Sequence, residues 1–277
     1  MKRFTTALLT VAASAIMLTG CAAGGAAAPT PANTETGTEA STETDTKAEE
    51  ETKADADVIK IGTNAEFPPF EFVTAEGVIG EFDGIDMAMA KDIGETNGKE
   101  VKIENMEFDS LLIALQNGQI DAVISGMTIT EERAKSVDFS VPYYEATQVM
   151  IVDKDSDIAK ASDMEGKRIV VIQGYTGELC VQDLGYEYEA FKKGTEAILE
   201  LNNGKCDVVV IDSATAQKYV KDNPNLKIVS DSDAFEAEQY GIAVKKGNTE
   251  LLDMINKAIE ARLKDGSISE WSAKYSE

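Results

Sequence analysis

The chain of 277 residues contains no histidine. Ser-His-Asp and Cys-His nucleophile schemes are therefore excluded, as are histidine-containing zinc sites. Cysteine is scarce: only Cys21, Cys180 and Cys206 occur. The last two could form a disulfide outside the cytoplasm, but Cys206 stands in the apolar stretch "GKCDVVVID" and reads better as a free buried thiol. Lysine and arginine number 26 against 50 acidic residues, a net charge of −24. Such a surface repels phosphate backbones and anionic lipid, which excludes nucleic-acid binding and flat adsorption to a membrane. After Leu18 no stretch is long and apolar enough to cross a bilayer.

What is present begins with Lys2 and Arg3, followed by the apolar run Phe4–Leu18. This reads as a signal peptide over residues 1–20, because the run is too short for a membrane span. Leu18-Thr19-Gly20-Cys21 resembles a bacterial lipobox, which implies cleavage before Cys21, lipid on that cysteine, and anchorage at the outer face of the cytoplasmic membrane. The alternative is an ordinary cleaved signal in which Cys21 is incidental. Residues 21–57 are built from Ala, Thr, Gly, Pro and Glu, with too little apolar surface to offset chain entropy, and read as a disordered acidic tether. The folded part runs from Val58 to Glu277, enough for one large domain or two lobes.

Within it, "LLIALQNGQIDAVISG" (Leu111–Gly126) aligns without gaps on "AILELNNGKCDVVVID" (Ala197–Asp212). Each reads as the end of an amphipathic helix, a glycine stop, and a strand that is apolar nearly throughout. Chance similarity of two common helix–turn–strand units is the competing reading. If the echo is real, the class is α/β, with two lobes, each a mainly parallel sheet flanked by helices. Ligands of open α/β sheets bind beyond the carboxyl ends of strands. Four such ends then share a cleft: Asn64–Phe70, Ser125–Arg133, Gly174–Gly177 and Asp212.

The residues at those ends carry the chemistry. Thr128-Ile129-Thr130-Glu131 fits a helix-starting hydroxyl-x-x-acid pattern, with Arg133 in the first turn. Open N–H groups there attract an anion, and a guanidinium grips a carboxylate with two parallel bonds. Ser125 and Gly126 precede it, the glycine permitting close approach of a ligand. The competing reading of Arg133 is a solvated surface side chain. Asp212, ending "DVVVID", is either a helix N-cap or an anion aimed across the cleft at a cation. Gly174 and Thr176 in "QGYTGE" add donors at another helix start; no dinucleotide or phosphate-loop fingerprint is present, and no cofactor is expected. Pro68 and Pro69 stiffen a loop that can hold Phe67 outward, whereas Phe70 reads as core and Phe108 as core or cleft wall. "DKDSD" (Asp153–Asp157) starts like a calcium loop but has Ile158 where glycine is needed and Met164 where the bidentate acid belongs, so no metal site is assigned.

The stretches "IGTNAEFPPFEF", "GIDMAMAKDI", "ISGMTITEERAKSVDFSVPYY", "VIQGYTGE", "DVVVIDSATA" and "YGIAVKKGNTELL" resemble the polar amino-acid-binding proteins of ABC importers, the family-3 solute-binding group. The resemblance spans nearly all of Val58–Glu277 and implies a two-lobed type II periplasmic-binding-protein fold with two hinge crossings. It divides the chain into lobe 1 (58–146 plus 240–277) and lobe 2 (147–239). It also implies a carboxylate clamp of Arg133, Thr128, Gly126 and Thr176, an ammonium-binding acid at Asp212, and a side-chain pocket of Asn64, Phe67 and Phe108. Several members have aspartate where this chain has Asn64, and Tyr175 replaces a smaller residue. The expected partners are a free amino acid, an ABC permease, and the membrane through the lipid anchor, with the protein acting as a monomer. With aromatic walls, one amide and at most one spare acid, Glu66, arginine or lysine ranks first as ligand and glutamine or another neutral polar amino acid second. An enzyme on the same fold would need a general acid or base in the cleft, for which only Glu66 is available. A sensor domain would need a membrane-spanning or kinase-like segment after the fold.

Overall fold

Apolar strands alternating with amphipathic helices dictate covered sheets, and the computed structural model, which describes residues 57–277, contains two of them. The expected signal peptide, the lipidated Cys21 and the tether up to residue 56 lie outside the described residues. In chain order the strands are β1 (Val58–Thr63), β2 (Glu66–Phe67), β3 (Glu71–Val73), β4 (Phe82–Asp83), β5 (Glu100–Asn105), β6 (Ala122–Val123) and β7 (Val137–Phe139). These are followed by β8 (Tyr144–Asp153), β9 (Ile169–Ile172), β10 (Tyr188–Phe191), β11 (Val208–Asp212), β12 (Leu226–Val229), β13 (Ala237–Tyr240) and β14 (Ala243–Lys245). The first sheet has the order β5-β1-β6-β14-β7 and the second β10-β9-β11-β8-β12, with β13 paired to β8. In each, the first three strands pair in parallel and the fourth, β14 or β8, pairs antiparallel with both its neighbours. β2, β3 and β4 form a small third sheet.

The internal repeat is realised strand for strand. The helix Phe108–Gln116 joins β5 to β6, and the helix Gly194–Asn202 joins β10 to β11, at equivalent places in the two sheets. Both helices stop at an Asn-Gly pair whose glycine has positive φ, 73° at Gly118 and 65° at Gly204. The aspartate three residues on does the same work in each copy. Asp121 accepts the Lys60 N–H at 2.8 Å while donating its own N–H to the Lys60 carbonyl. Asp207 makes the identical pair with Arg168, also at 2.8 Å.

The unbroken apolar character of the second sheet has a direct cause. In β9, β11 and β8 alternate residues feed different cores: Val170, Val209 and Ile151 pack on one side, Val171, Val210 and Met150 on the other. A strand buried on both faces has no place for a polar residue. β8 pairs with β13 at its beginning and with β11 and β12 further along, so these two antiparallel strands run between the two sheets. Asp153–Asp157 is a turn, closed by the Ser156 N–H on the Asp153 carbonyl. Cys180 and Cys206 are both free thiols, pushed up to about 12 and about 11, mainly by burial.

Candidate ligand-binding site

The strand ends meet at a small cavity lined by Phe67, Phe108, Ser125, Gly126, Thr128, Arg133, Tyr175, Thr176 and Asp212. Eight of the ten residues expected from the sequence are on that wall. Asn64 and Gly174 are not, but each touches a residue that is: Asn64 Oδ1 accepts the Tyr175 hydroxyl at 3.3 Å, and the Gly174 carbonyl accepts from Arg133 at 2.9 Å. Asn64 also donates to the Met106 carbonyl, so its amide serves the protein rather than the cavity surface.

Arg133 lies in the short helix Glu131–Ala134. The cap of that helix is Thr130, whose hydroxyl accepts the Arg133 N–H, and not Thr128 as the hydroxyl-x-x-acid spacing suggests. Thr128 is drawn instead into an antiparallel bridge with Tyr240, which brings it to the cavity. The guanidinium is desolvated, and burial lowers its pKa against the pull of Asp212 and Glu238. It donates to the carbonyls of Thr128 and Gly174, one from each side of the cleft, and lies 5.3 Å from the Phe108 ring centre. A guanidinium has five N–H groups, so two carbonyls leave donors for a ligand.

Asp212 occupies the N-cap position of the helix Ser213–Asp222, yet its side chain makes no capping bond. It turns instead to the Tyr240 hydroxyl, 2.5 Å away, at 3 % exposure. Burial, reinforced by the charge of Glu238, raises its pKa to about 7, while the Tyr240 hydroxyl and Gln148 hold it down. A buried carboxylate so poorly compensated attracts a cation.

The glycine at 126 is required. Its φ is +48°, and a Cβ there would stand 2.5 Å from the Phe67 ring. Phe67 and Phe108 both pack edge-on to Tyr175, with ring centres at 5.3 and 4.6 Å. Phe70 is fully buried against Tyr144 and Tyr240, a core residue as expected. Ser125 is committed to the protein, accepting the Asn64 N–H and donating to Glu71. Glu66 pairs with Lys193 at 2.8 Å, so it is no spare acid.

One site residue escaped sequence reasoning. Glu238, on β13, accepts the hydroxyls of Thr176 at 2.6 Å and Thr128 at 3.0 Å, and the Gln148 amide at 3.3 Å. The sequence around it, "FEAEQY", holds one other acid, Glu236, and nothing local marks which of the two points inward.

The chain from residue 59 to 277 matches the family model of the bacterial extracellular solute-binding proteins, family 3. It is 36% identical over 225 residues to a probable histidine-binding protein of Neisseria gonorrhoeae, covering 79% of this chain and 82% of the relative. It is equally 36% identical to an ABC transporter arginine-binding protein of Escherichia coli, over 79% of this chain and 91% of that one. A solved structure of an ancestral arginine-binding protein bound to glutamine is 45% identical, with a TM-score of 0.73, covering 79% of this chain and 97% of that one. The fold is that of the two-lobed type II periplasmic-binding proteins, and the family binds solutes without transforming them. No helix among the described residues is long and apolar enough to cross a membrane. The chain belongs to the bacterial extracellular solute-binding proteins of family 3.

Proposed function

We propose that this protein captures a basic amino acid outside the cytoplasmic membrane and delivers it to the permease of an ABC importer. The observation that carries the reading is one pair of opposite charges: the desolvated Arg133 guanidinium and the buried Asp212 carboxylate border the same small cavity. An α-amino acid has the matching pair on adjacent bonds. Its carboxylate takes the remaining Arg133 donors and the N–H groups of Thr128 and Thr176, and its ammonium takes Asp212. The side chain extends between Phe67, Phe108 and Tyr175, faces that attract a cation. The acids Asp212 and Glu238 outnumber Arg133 around the head group, which favours ligands of net positive charge. Arginine or lysine ranks first, and glutamine second. The names of the relatives, arginine- and histidine-binding proteins and an arginine-binding protein holding glutamine, support that order.

The hinge is proposed at the two crossings into and out of lobe 2 (147–239), with lobe 1 formed by 58–146 and 240–277. The protein works as a monomer, held at the outer membrane face by lipid on Cys21. Thermal shift of ligand-stripped protein against the twenty amino acids tests the ligand class, because a ligand binding only the native state raises its melting temperature. Basic amino acids should give the largest shifts and aspartate and glutamate none; a panel led by glutamate contradicts the reading.

A further inference from the structure

Two carboxyls lie behind the wall of the cavity and take no part in the function proposed above. Glu71, on β3, and Asp86, in the first turn of the helix Ile85–Asn97, are both fully buried. Each reaches the loop that lines the cavity. Ser125 Oγ donates to Glu71 Oε1 at 2.7 Å, and the Gly126 N–H donates to Asp86 Oδ2 at 2.7 Å. Asp86 also receives the Tyr143 hydroxyl, 2.9 Å from each of its oxygens. Glu71 Oε2 receives no donor at all, although it is buried.

Two ionised carboxylates in contact in a dry interior are prohibitively unfavourable, and a single shared proton resolves the conflict. The geometry says which group holds it. Every donor that reaches Asp86 suits an anion, since both oxygens are occupied by N–H or O–H groups. At Glu71 the ionised form would leave one buried oxygen unpaired, whereas a protonated Oε2 becomes a donor with Asp86 as its acceptor. We propose that Glu71 is a neutral carboxylic acid at neutral pH, donating its proton to ionised Asp86, and that this acid–carboxylate pair positions Ser125 and Gly126 in the cavity wall.

The electrostatics agree. Burial, then the charge of Asp86, pushes Glu71 well above the usual carboxyl range, and Asp212 adds in the same direction. Asp86 rises only to about 6, because the Gly126 N–H, the Tyr143 hydroxyl and Glu71 itself favour its charged form. The groups facing the pair are Tyr143, Ser125, the Gly126 amide and the more distant Asp212, none of them cationic. The pair thus anchors the left-handed turn at Gly126 from behind. Glu71 and Asp86 are positioning residues that need not touch the ligand.

Infrared difference spectroscopy of the purified protein at pH 7.5 tests the proton's place without any ligand. A buried protonated-carboxyl C=O band should persist in Asp212→Asn, which removes the other buried carboxyl partly protonated at this pH, disappear when Glu71→Gln is added to it, and be unaffected by substitution of surface carboxyls. No such band in Asp212→Asn, or its survival in the double variant, overturns the proposal. The positioning role is tested by L-arginine titration and rests on the amino-acid reading; the infrared result stands apart from it. Glu71→Ala should weaken arginine binding at least tenfold, and Glu71→Gln, which keeps a donor toward Asp86 and an acceptor for Ser125, should recover most of that loss. Asp86→Asn should not be rescued in this way relative to Asp86→Ala. Equal binding by Glu71→Gln and Glu71→Ala, or wild-type affinity in Asp86→Asn, overturns it.

Discussion

At the scale of single residues, Arg133 and Asp212 dominate the account because each is a charge with too little compensation. Removing either strands the opposite charge of a bound amino acid in a desolvated site. Arg133→Ala should therefore weaken arginine binding by about 3 kcal/mol or more, roughly two orders of magnitude by calorimetry. Asp212 adds a pH dependence. Its pKa of about 7 in the ligand-free site falls when a ligand ammonium arrives, so binding favours the ionised form and releases a proton. Affinity should drop as pH falls below about 7, by up to tenfold per unit, and Asp212→Asn should flatten that slope as well as weaken binding. The stability of the ligand-free protein runs the other way. Asp86 and Asp212 bind protons more tightly folded than unfolded, so stability should decrease as pH rises from about 4 to about 7, and the melting temperature should be higher at pH 5 than at pH 8. Both charged residues were legible in the sequence, Arg133 in the helix start that follows "SGMTIT" and Asp212 at the end of the apolar strand "DVVVID". Glu238 was not, because its inward direction is set by the pairing of β13 with β8, a contact some ninety positions apart in sequence. The commitment of Ser125 to Glu71 and of Asn64 to Tyr175 was equally hidden, since both depend on loops meeting across the fold.

At the scale of elements, the repeated helix–turn–strand unit is what could be read most directly. Its glycines, its aspartates and its two-sided apolar strands each have a local physical cause that leaves a trace in sequence. Asp207 gives a test. It holds the Arg168 N–H and, through both oxygens, the Arg168 guanidinium, whose remaining donors cap the Gly204 and Lys205 carbonyls. Asp207→Ala should lower the urea midpoint, chiefly through loss of the bond to the Arg168 N–H, since the guanidinium pair itself is solvent-exposed. A midpoint equal to wild type would mean that the strand start needs no such pin. The small sheet of β2, β3 and β4 went unread, because strands of two or three residues carry too little periodicity to stand out. The helix cap at Thr130 was misread as Thr128 because both hydroxyls precede an acid, and only the bridge to Tyr240 separates their roles.

At the scale of the whole molecule, the two sides of the cleft meet through several polar contacts that surround the cavity. Arg133 reaches the Gly174 carbonyl, Asp109 accepts from Gln173, and Glu66 pairs with Lys193. Each joins a residue of the segment 66–133 to one of the segment 173–193, the two sides of the cleft, and a ligand gripped from both sides adds to the same set. The two-lobed plan was legible from the repeat, whereas these cross-cleft partners were not, since they are surface polar residues until the lobes face each other. Anchorage is a separate question with its own test: Cys21→Ser should shift the protein from membrane to soluble fractions while leaving ligand binding unchanged, and retention on membranes would refute lipid attachment there. The central claim is that a free amino acid is held by both its charged groups between Arg133 and Asp212. Calorimetric titration of ligand-stripped protein with L-arginine and with agmatine, the same molecule without its carboxylate, tests it most directly. L-Arginine should bind at one site per chain and agmatine at least a hundredfold more weakly; agmatine binding as tightly as arginine would contradict the account.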